Sequence, residues 1–278
     1  MIIESVWKIV RPFVPVQLYP LLSPVYRWRR KSHLRRLEES DRTYLASHPE
    51  VLCPPAELRY NAVGPYPIEA FLHSGEMVIA DIEGALRSVG RSLEEIRTFL
   101  DFGCGCGRLI IALRKRRPDL DIAGCDVDER GILWCRRHLQ GSRCVVNGEL
   151  PPAPFEDGSF DLIWCGSVFT HLDEARQDRW LAEMKRMLKP RGILLASVHG
   201  PYSWESRLPP WTIANLKKKG MIFARIGADD GIHPSWYQAA WHTEKYIRQH
   251  WAEVFEIQAY RERGLSDYQD VVVAQNRG

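Results

Sequence analysis

From Thr98 onward, short apolar runs alternate with amphipathic stretches. "TFLDF", "LDIAGCDV", "RCVVN", "FDLIWCGSV" and "GILLASV" are apolar segments of strand length, rich in β-branched and aromatic residues. Between them, "RLIIALRKRR", "DERGILWCRRHLQ" and "DEARQDRWLAEMKRML" carry apolar residues at helical spacing. Pro118 stops the first of these helices. Asp128 opens the second and Gly141 closes it, and Asp173 caps the third, which stops at Lys189-Pro190. Strands this uniformly apolar need cover on both faces, which predicts a parallel sheet between two helical layers. "YIRQHWAEVF" predicts a last helix. The strands "EIQAYRER" and "DVVVAQN" follow without a helix between them, so they form an antiparallel hairpin at the sheet edge.

Upstream the pattern differs. Ile68 to Val89 has helical spacing, and "CPPAELRYNAVGPYP" (Cys53 to Pro67) reads as a turn-rich connection. A charged helical piece spans His33 to Ala46, and the residues before it read as an irregular, proline-rich arm. The expected organisation is a basic arm and helical cap over 1–97, then an α/β domain over 98–278. Residues 199–242 form an insertion between the fifth strand and the last helix. No internal repeat is visible.

Charge sharpens that division. The 278 residues carry a net +3, but residues 1–36 hold eight Lys or Arg against Glu4 alone, a net +7, which leaves −4 for the remainder. The overall balance does not point to nucleic acid. Glu4 and Lys8 interrupt any secretory apolar region, and Arg11 with prolines 12, 15, 20 and 24 breaks the run that could otherwise span a membrane. The seven cysteines (53, 104, 106, 125, 135, 144 and 165) contain no CxxC pair, which argues against structural zinc. Reduced thiols in a cytoplasmic protein account for them, and no metal is expected.

The densest chemistry lies in "LDFGCGCGRL". Glycines at 103, 105 and 107 sit where a strand must turn sharply into a helix, and they let a ligand press against bare backbone. The dinucleotide pattern GxGxxG fails in register, because Arg108 or Ile110 stands where its third glycine should be. No GxxxxGK[ST] phosphate loop is present either. What remains is Asp-x-Gly-x-Gly-x-Gly, with Asp101 ending the strand. A carboxylate there repels pyrophosphate and suits a ligand carrying positive charge.

These residues resemble the first motif of the class I S-adenosylmethionine-dependent methyltransferases. "IAGCDVD", "VVNGELPPAPFEDGSFDLIWCGSVFTHL" and "MKRMLKPRGILLAS" resemble that family's later motifs in order and spacing, over roughly residues 98–276. The resemblance implies a Rossmann-like, seven-stranded, mostly parallel sheet with an antiparallel C-terminal hairpin and helices on both faces, preceded by the N-terminal extension. It implies S-adenosylmethionine as cofactor and S-adenosylhomocysteine as product.

Residue by residue, the resemblance implies that Gly103, Cys104 and Gly105 line the cofactor loop and that Asp101 faces the methionine amino end, where its alternative role is a helix cap. It gives Asp126 the ribose hydroxyls, with a solvated turn acid as the alternative, and Val127 the adenine face, with ordinary core as the alternative. Glu149 stands where the family usually has Asp, accepting from the adenine amine, with the Leu150 N–H reading the ring. Cys165 would offer its carbonyl to the cofactor amine, and Arg59 and Tyr60 are expected over the methionine end. His171 and His199 are the catalytic candidates near the methyl group. A histidine can take a proton near neutrality, and the alternative for His171 is a helix cap.

Acceptor recognition is expected outside the shared core. The insertion 199–242 holds Tyr202, Trp204, Trp211, Trp236, Tyr237 and Trp241 with His199, His233 and His242, the composition of an acceptor lid or of a small core packed on the sheet. The expected function is methyl transfer to a small molecule, on an oxygen of a sugar or secondary metabolite. Three alternatives stay open: non-methyl-transfer chemistry such as cyclisation, a non-catalytic binding module, and peripheral membrane or lipid-linked contact through residues 1–36. Oligomeric state is left open.

Overall fold

The computed structural model describes residues 19–224 and 237–278, with side chains from Arg27 onward. Three helices come first: α1 (Tyr19–Ser47), α2 (Ala56–Val63) and α3 (Ile68–Arg87). The alternating core follows as β1 (Thr98–Phe102), α4 (Arg108–Arg116), β2 (Asp121–Asp126), α5 (Glu129–His138), β3 (Ser142–Val146), β4 (Phe160–Cys165), α6 (Glu174–Met187) and β5 (Leu188–Val198). After β5 come α7 (Pro201–Glu205), α8 (Pro210–Lys219), β6 (Met221–Ala224), β7 (Ala239–His242) and α9 (Glu244–His250). The hairpin β8 (Glu256–Leu265) and β9 (Gln269–Gln275) ends the chain.

Seven strands form one sheet in the order β3-β2-β1-β4-β5-β9-β8. The pairs β1–β2, β1–β4, β2–β3 and β4–β5 are parallel, whereas β9 runs antiparallel to both β5 and β8. Strand order reverses between β1 and β4, so the loops at their C-terminal ends splay apart and leave a crevice. Alternate residues feed opposite faces: Phe99 packs with Ile79, Leu109 and Ile132 under α3, α4 and α5, and Leu100 packs with Trp180, Met184 and Trp251 under α6 and α9. Asp128 caps α5 by accepting from Arg130 N, and Asp173 caps α6 by accepting from Arg176 N.

Three local expectations need correction. The helix expected from His33 begins at Tyr19, within the supposedly irregular arm. Pro20 falls in its first turn, where the backbone N–H has no partner in any case, and Pro24 removes a single bond beyond it. Arg30, Leu34, Leu37, Asp41 and Tyr44 then form the covered stripe of α1 at helical spacing. The turn-rich connection contains α2, docked by Arg59: its guanidinium is 1% exposed and reaches both Asp41 carboxylate oxygens at 2.8 and 2.7 Å. Finally, Lys189-Pro190 lies inside β5 rather than stopping before it. The β4–β5 register shifts there and Arg191 sits at φ +63°, an irregularity that accommodates a proline lacking its donor.

Within the insertion, β6 and β7 pair as a separate two-stranded sheet. Trp204, Leu216, Ala239 and Trp241 bury one another in a small core of their own, whereas Trp211 is exposed. His233 and Trp236 lie outside the described residues.

Candidate active site

The crevice at the sheet's switch point is a cleft of about 1640 Å³, larger than a single small ligand needs. Its floor is the loop from β1 to α4. Gly103 and Gly105 hold φ +81° and +55°, and a Cβ on Gly105 would stand 2.9 Å from the Ala62 Cβ. The loop is tied to the next strand: Gly103 N and Cys104 N both donate to the Cys125 carbonyl, at 2.8 and 3.0 Å.

Two carboxylates face this floor. Asp126 Oδ2 accepts from Gly105 N at 2.7 Å and Oδ1 from Asp128 N at 2.8 Å, which holds the side chain in one orientation. Burial raises its pKa against those two donors. Asp101 is 4% exposed, and no hydrogen bond from the described residues reaches its carboxylate. Burial pushes it up to about 7; the nearby Arg108 guanidinium opposes the rise and the Asp126 charge adds to it. A third acceptor sits at the end of β3. Asn147 Nδ2 donates to Gly148 O, while its buried Oδ1 has no partner. A buried cation-seeking carboxyl, an oriented carboxylate and an orphaned amide oxygen on one wall fit a cationic nucleoside better than a phosphate.

The other end of the cleft, past β4 and β5, carries imidazoles. His171 Nδ1 lies 2.7 Å from Gln238 O and His199 Nδ1 lies 3.0 Å from Ala240 O. Carbonyl oxygens only accept, so each Nδ1 carries a proton. The two rings are 6.3 Å apart, and His171 stacks on Tyr237 at 3.9 Å. Burial lowers the His199 pKa to about 3.

Residues 100–196 match the methyltransferase domain family. These residues form a methyltransferase domain, similar to those of the class I S-adenosylmethionine-dependent methyltransferases. It is 32% identical over 115 residues to tRNA N(3)-methylcytidine methyltransferase Mettl2 of Drosophila melanogaster, 38% of this chain and 35% of that one. It is 28% identical over 141 residues to malonyl-[acyl-carrier protein] O-methyltransferase of Halalkalibacterium halodurans, 49% of this chain and 51% of that one. Among solved structures, a methyltransferase from Methanosarcina mazei aligns at TM-score 0.48 and 23% identity, over 66% of this chain and 93% of that one. The chain spans between about a third and two thirds of the length of the first curated relatives it matches.

Within this methyltransferase fold the expected site residues separate into two groups. Asp101, Gly103, Cys104, Gly105, Asp126, Val127, Glu149, His171 and His199 all line the cleft. Leu150, Cys165, Arg59 and Tyr60 do not. Cys165 is buried below the floor and Gly166 lines the cleft in its place. Arg59 is committed to Asp41 and to Pro54 O, and the helical phase of α2 turns Asn61, Ala62 and Val63 inward instead. Asn147, Tyr66, Arg108 and Gln269 line the cleft without a sequence signal that singled them out. His242 is fully buried against Gln177, away from the cleft. Among the described residues no group of three His, Cys, Asp or Glu is placed to hold a metal, and no helix is long and apolar enough to cross a membrane.

Proposed function

We propose that this chain transfers the methyl group of S-adenosylmethionine to an oxygen of a small-molecule acceptor, in the class of sugars and secondary metabolites. The supporting observation is the pairing of two unlike ends in one cleft: Asp101, Asp126 and the orphaned Asn147 Oδ1 at one, His171 and His199 at the other. Asp126 receives the ribose hydroxyls beside its two backbone donors. Asp101 faces the charged methionine end, and Asn147 Oδ1 with Glu149 accepts from the adenine amine.

S-adenosylmethionine, when bound, supplies a methyl group already electrophilic on its sulfonium. The protein's part is alignment, exclusion of water and removal of the acceptor's proton. His171 takes that proton on Nε2, and its Nδ1–H bond to Gln238 O supports the imidazolium that results. His199 stays neutral, and its Nε2 accepts from a second donor group of the acceptor molecule. Arg207, Tyr237, Gln238 and Ala239 wall the acceptor end.

Calorimetry with S-adenosylhomocysteine and transfer of labelled methyl to a metabolite panel test this reading, with mass spectrometry of products to separate methylation from cyclisation. tRNA belongs in the panel, because one relative is a tRNA methyltransferase. A chain that binds no S-adenosylhomocysteine would end the proposal.

A second reading rests on α1. Trp28 is 70% exposed, and Arg27 and Lys31 on the same helix line the cleft. A basic helix with an exposed Trp at the cleft suits an acceptor carried on an anionic membrane surface. Demethylmenaquinone and phthiotriol dimycocerosate methyltransferases are among the relatives. Sedimentation with phosphatidylserine vesicles, with and without residues 1–36, tests this contact.

A further inference from the structure

The cleft contains a polar constellation that the methyl-transfer reading does not use. It is built on the β8–β9 turn. Ser266 and Asp267 hold φ +53° and +54°, the left-handed pair of a tight hairpin turn without a glycine, and Ser266 N is pinned to Asp81 Oδ2 at 2.9 Å. This turn delivers Tyr268 and Gln269 to the cleft beside His199, with the Tyr268 and His199 rings 6.2 Å apart.

Gln269 is oriented by two serines. Ser167 N donates to Ser197 Oγ at 2.7 Å, so the Ser197 hydroxyl hydrogen is left for Gln269 Oε1, also at 2.7 Å. Ser167 Oγ donates to the same Oε1 at 3.1 Å, from a residue itself at φ +60°. With Oε1 saturated, the amide assignment is fixed. The Gln269 NH2 has no partner among the described residues.

Arg207 completes the group. Its guanidinium lies over the Tyr268 ring at 5.0 Å and has no carboxylate partner among the described residues. Arg30 and Arg130, which also line the cleft, share Glu57, Arg108 reaches Ser74 Oγ at 3.2 Å, and Arg27 and Lys31 enter from α1, whereas Arg207 is the cation near His199 and Tyr268. A guanidinium stacked on an aromatic face keeps its N–H edge available, in the planar fork that matches a carboxylate or phosphate.

We infer that the acceptor carries an oxyanion, the chemistry shared by a carboxylate and a phosphate ester, and that Arg207 and the Gln269 amide hold it beside His199. This deepens the methyltransferase reading and rests on it. The oxyanion neutralises Arg207, accepts from the Gln269 NH2, and fixes the acceptor at the imidazole end of the cleft.

The test is calorimetry on the full chain saturated with S-adenosylhomocysteine, titrated with benzoate, phenyl phosphate and benzyl alcohol. At least one anion is expected to bind about tenfold more tightly than the alcohol. Benzoate alone showing that margin indicates a carboxylate, and phenyl phosphate alone a phosphate ester. Arg207→Met removes the margin. Gln269→Glu keeps both serine bonds but replaces the donors by a second acceptor, and it removes the margin too. S-adenosylhomocysteine affinity stays within about twofold in both variants. Equal binding of anions and alcohol, or a margin that survives Arg207→Met, overturns the inference alone. A wild-type chain that binds no S-adenosylhomocysteine overturns both readings.

Discussion

His171 and His199 are aimed by the same short stretch of backbone: their Nδ1 atoms meet the carbonyl oxygens of Gln238 and Ala240, two residues apart at the start of β7. One element from the insertion thereby orients two imidazoles from the core. Burial keeps His199 neutral, with its pKa near 3, so it is a poor base at any working pH and serves as a hydrogen-bond acceptor. His199→Phe should lower kcat by roughly ten- to a hundredfold and leave the shape of the pH–rate profile between pH 5 and 9 unchanged. His171→Phe, if His171 is the base, should cost about a hundredfold or more and remove the profile's acid limb. Steady-state kinetics with S-adenosylhomocysteine calorimetry as control would check both. An acid limb retained in His171→Phe would refute its role as base.

Asp101, as proposed beside the cofactor, should give its binding a pH dependence. Its pKa of about 7 comes from burial, and a cationic ligand beside it favours the ionised form. Binding below about pH 7 must therefore expel a proton. S-adenosylmethionine affinity should fall by up to about tenfold per pH unit below that point and level off above it. Stability has its own sign. A carboxyl raised from 3.8 to about 7 on folding carries stability that is complete below about pH 4 and is lost as pH climbs through 7. Asp101→Asn should raise the Tm of the ligand-free protein at pH 8 and weaken cofactor binding there. Affinity independent of pH between 5.5 and 8 would contradict this assignment.

The parts of the fold that were legible in sequence are those with local periodicity. The strands around Leu100, Ile122, Ile163 and Leu194 repeat every second residue against both faces, and Asp128 and Asp173 mark their helices through side-chain bonds only two or three residues long. Other features depend on distant partners. Pro20 and Pro24 read as breakers because nothing in the local pattern shows that they fall within the first two turns of α1. Asn147 belongs to no motif, and its orphaned Oδ1 emerges only once burial is known. The Ser167–Ser197–Gln269 group draws on three separate segments. Arg59 reads in sequence as a residue over the methionine end, yet Asp41, eighteen residues earlier, claims it.

Gly105 should tolerate no side chain. At φ +55° an L residue costs about 1–2 kcal/mol, and its Cβ would meet Ala62 at 2.9 Å. Ala62 lies on α2 beside Asn61 and Val63, all of which line the cleft, so relief of the clash must displace that wall. Gly105→Ala should lose about 1–2 kcal/mol in urea unfolding and at least about tenfold in S-adenosylhomocysteine affinity. Full affinity in a folded variant would show that α2 does not contribute to the cofactor site.

Ion pairs on two carboxylates, Asp41 and Glu57, anchor the N-terminal helices, and burial predicts very different strengths. Arg59 is 1% exposed and reaches Asp41 through two bonds, so Asp41→Asn strands a buried guanidinium and should cost about 3 kcal/mol. Glu57 bridges Arg30 and Arg130 in the open, where solvent screens the charges, and Glu57→Gln should cost less than about 1 kcal/mol. Denaturant unfolding of both variants checks the contrast. Equal losses would mean that burial does not rank the pairs.

His242 should make the fold acid-sensitive. Gln177 spends both amide hydrogens on the carbonyls of Phe169 and Leu172, so its Oε1 must accept from His242 Nε2–H, at 3.1 Å. The remaining Nδ1 is buried and has no partner, so a second proton would have no acceptor, and burial lowers the pKa to about 3. Between about pH 6.5 and 3 the unfolded chain therefore binds a proton that the folded chain refuses, and stability falls as pH drops through that window. His199 adds to the same trend and Asp101 opposes it, so a single profile would mix all three. The difference between wild type and His242→Leu isolates one. The variant leaves Gln177 Oε1 unpaired and should be weaker at pH 8 by about 1–3 kcal/mol. That gap should narrow steadily from pH 6.5 to pH 4.5, because only the wild type carries the penalty of the neutral imidazole. A gap that stays constant across the window would mean that His242 titrates alike in both states, and the burial argument would fail with it.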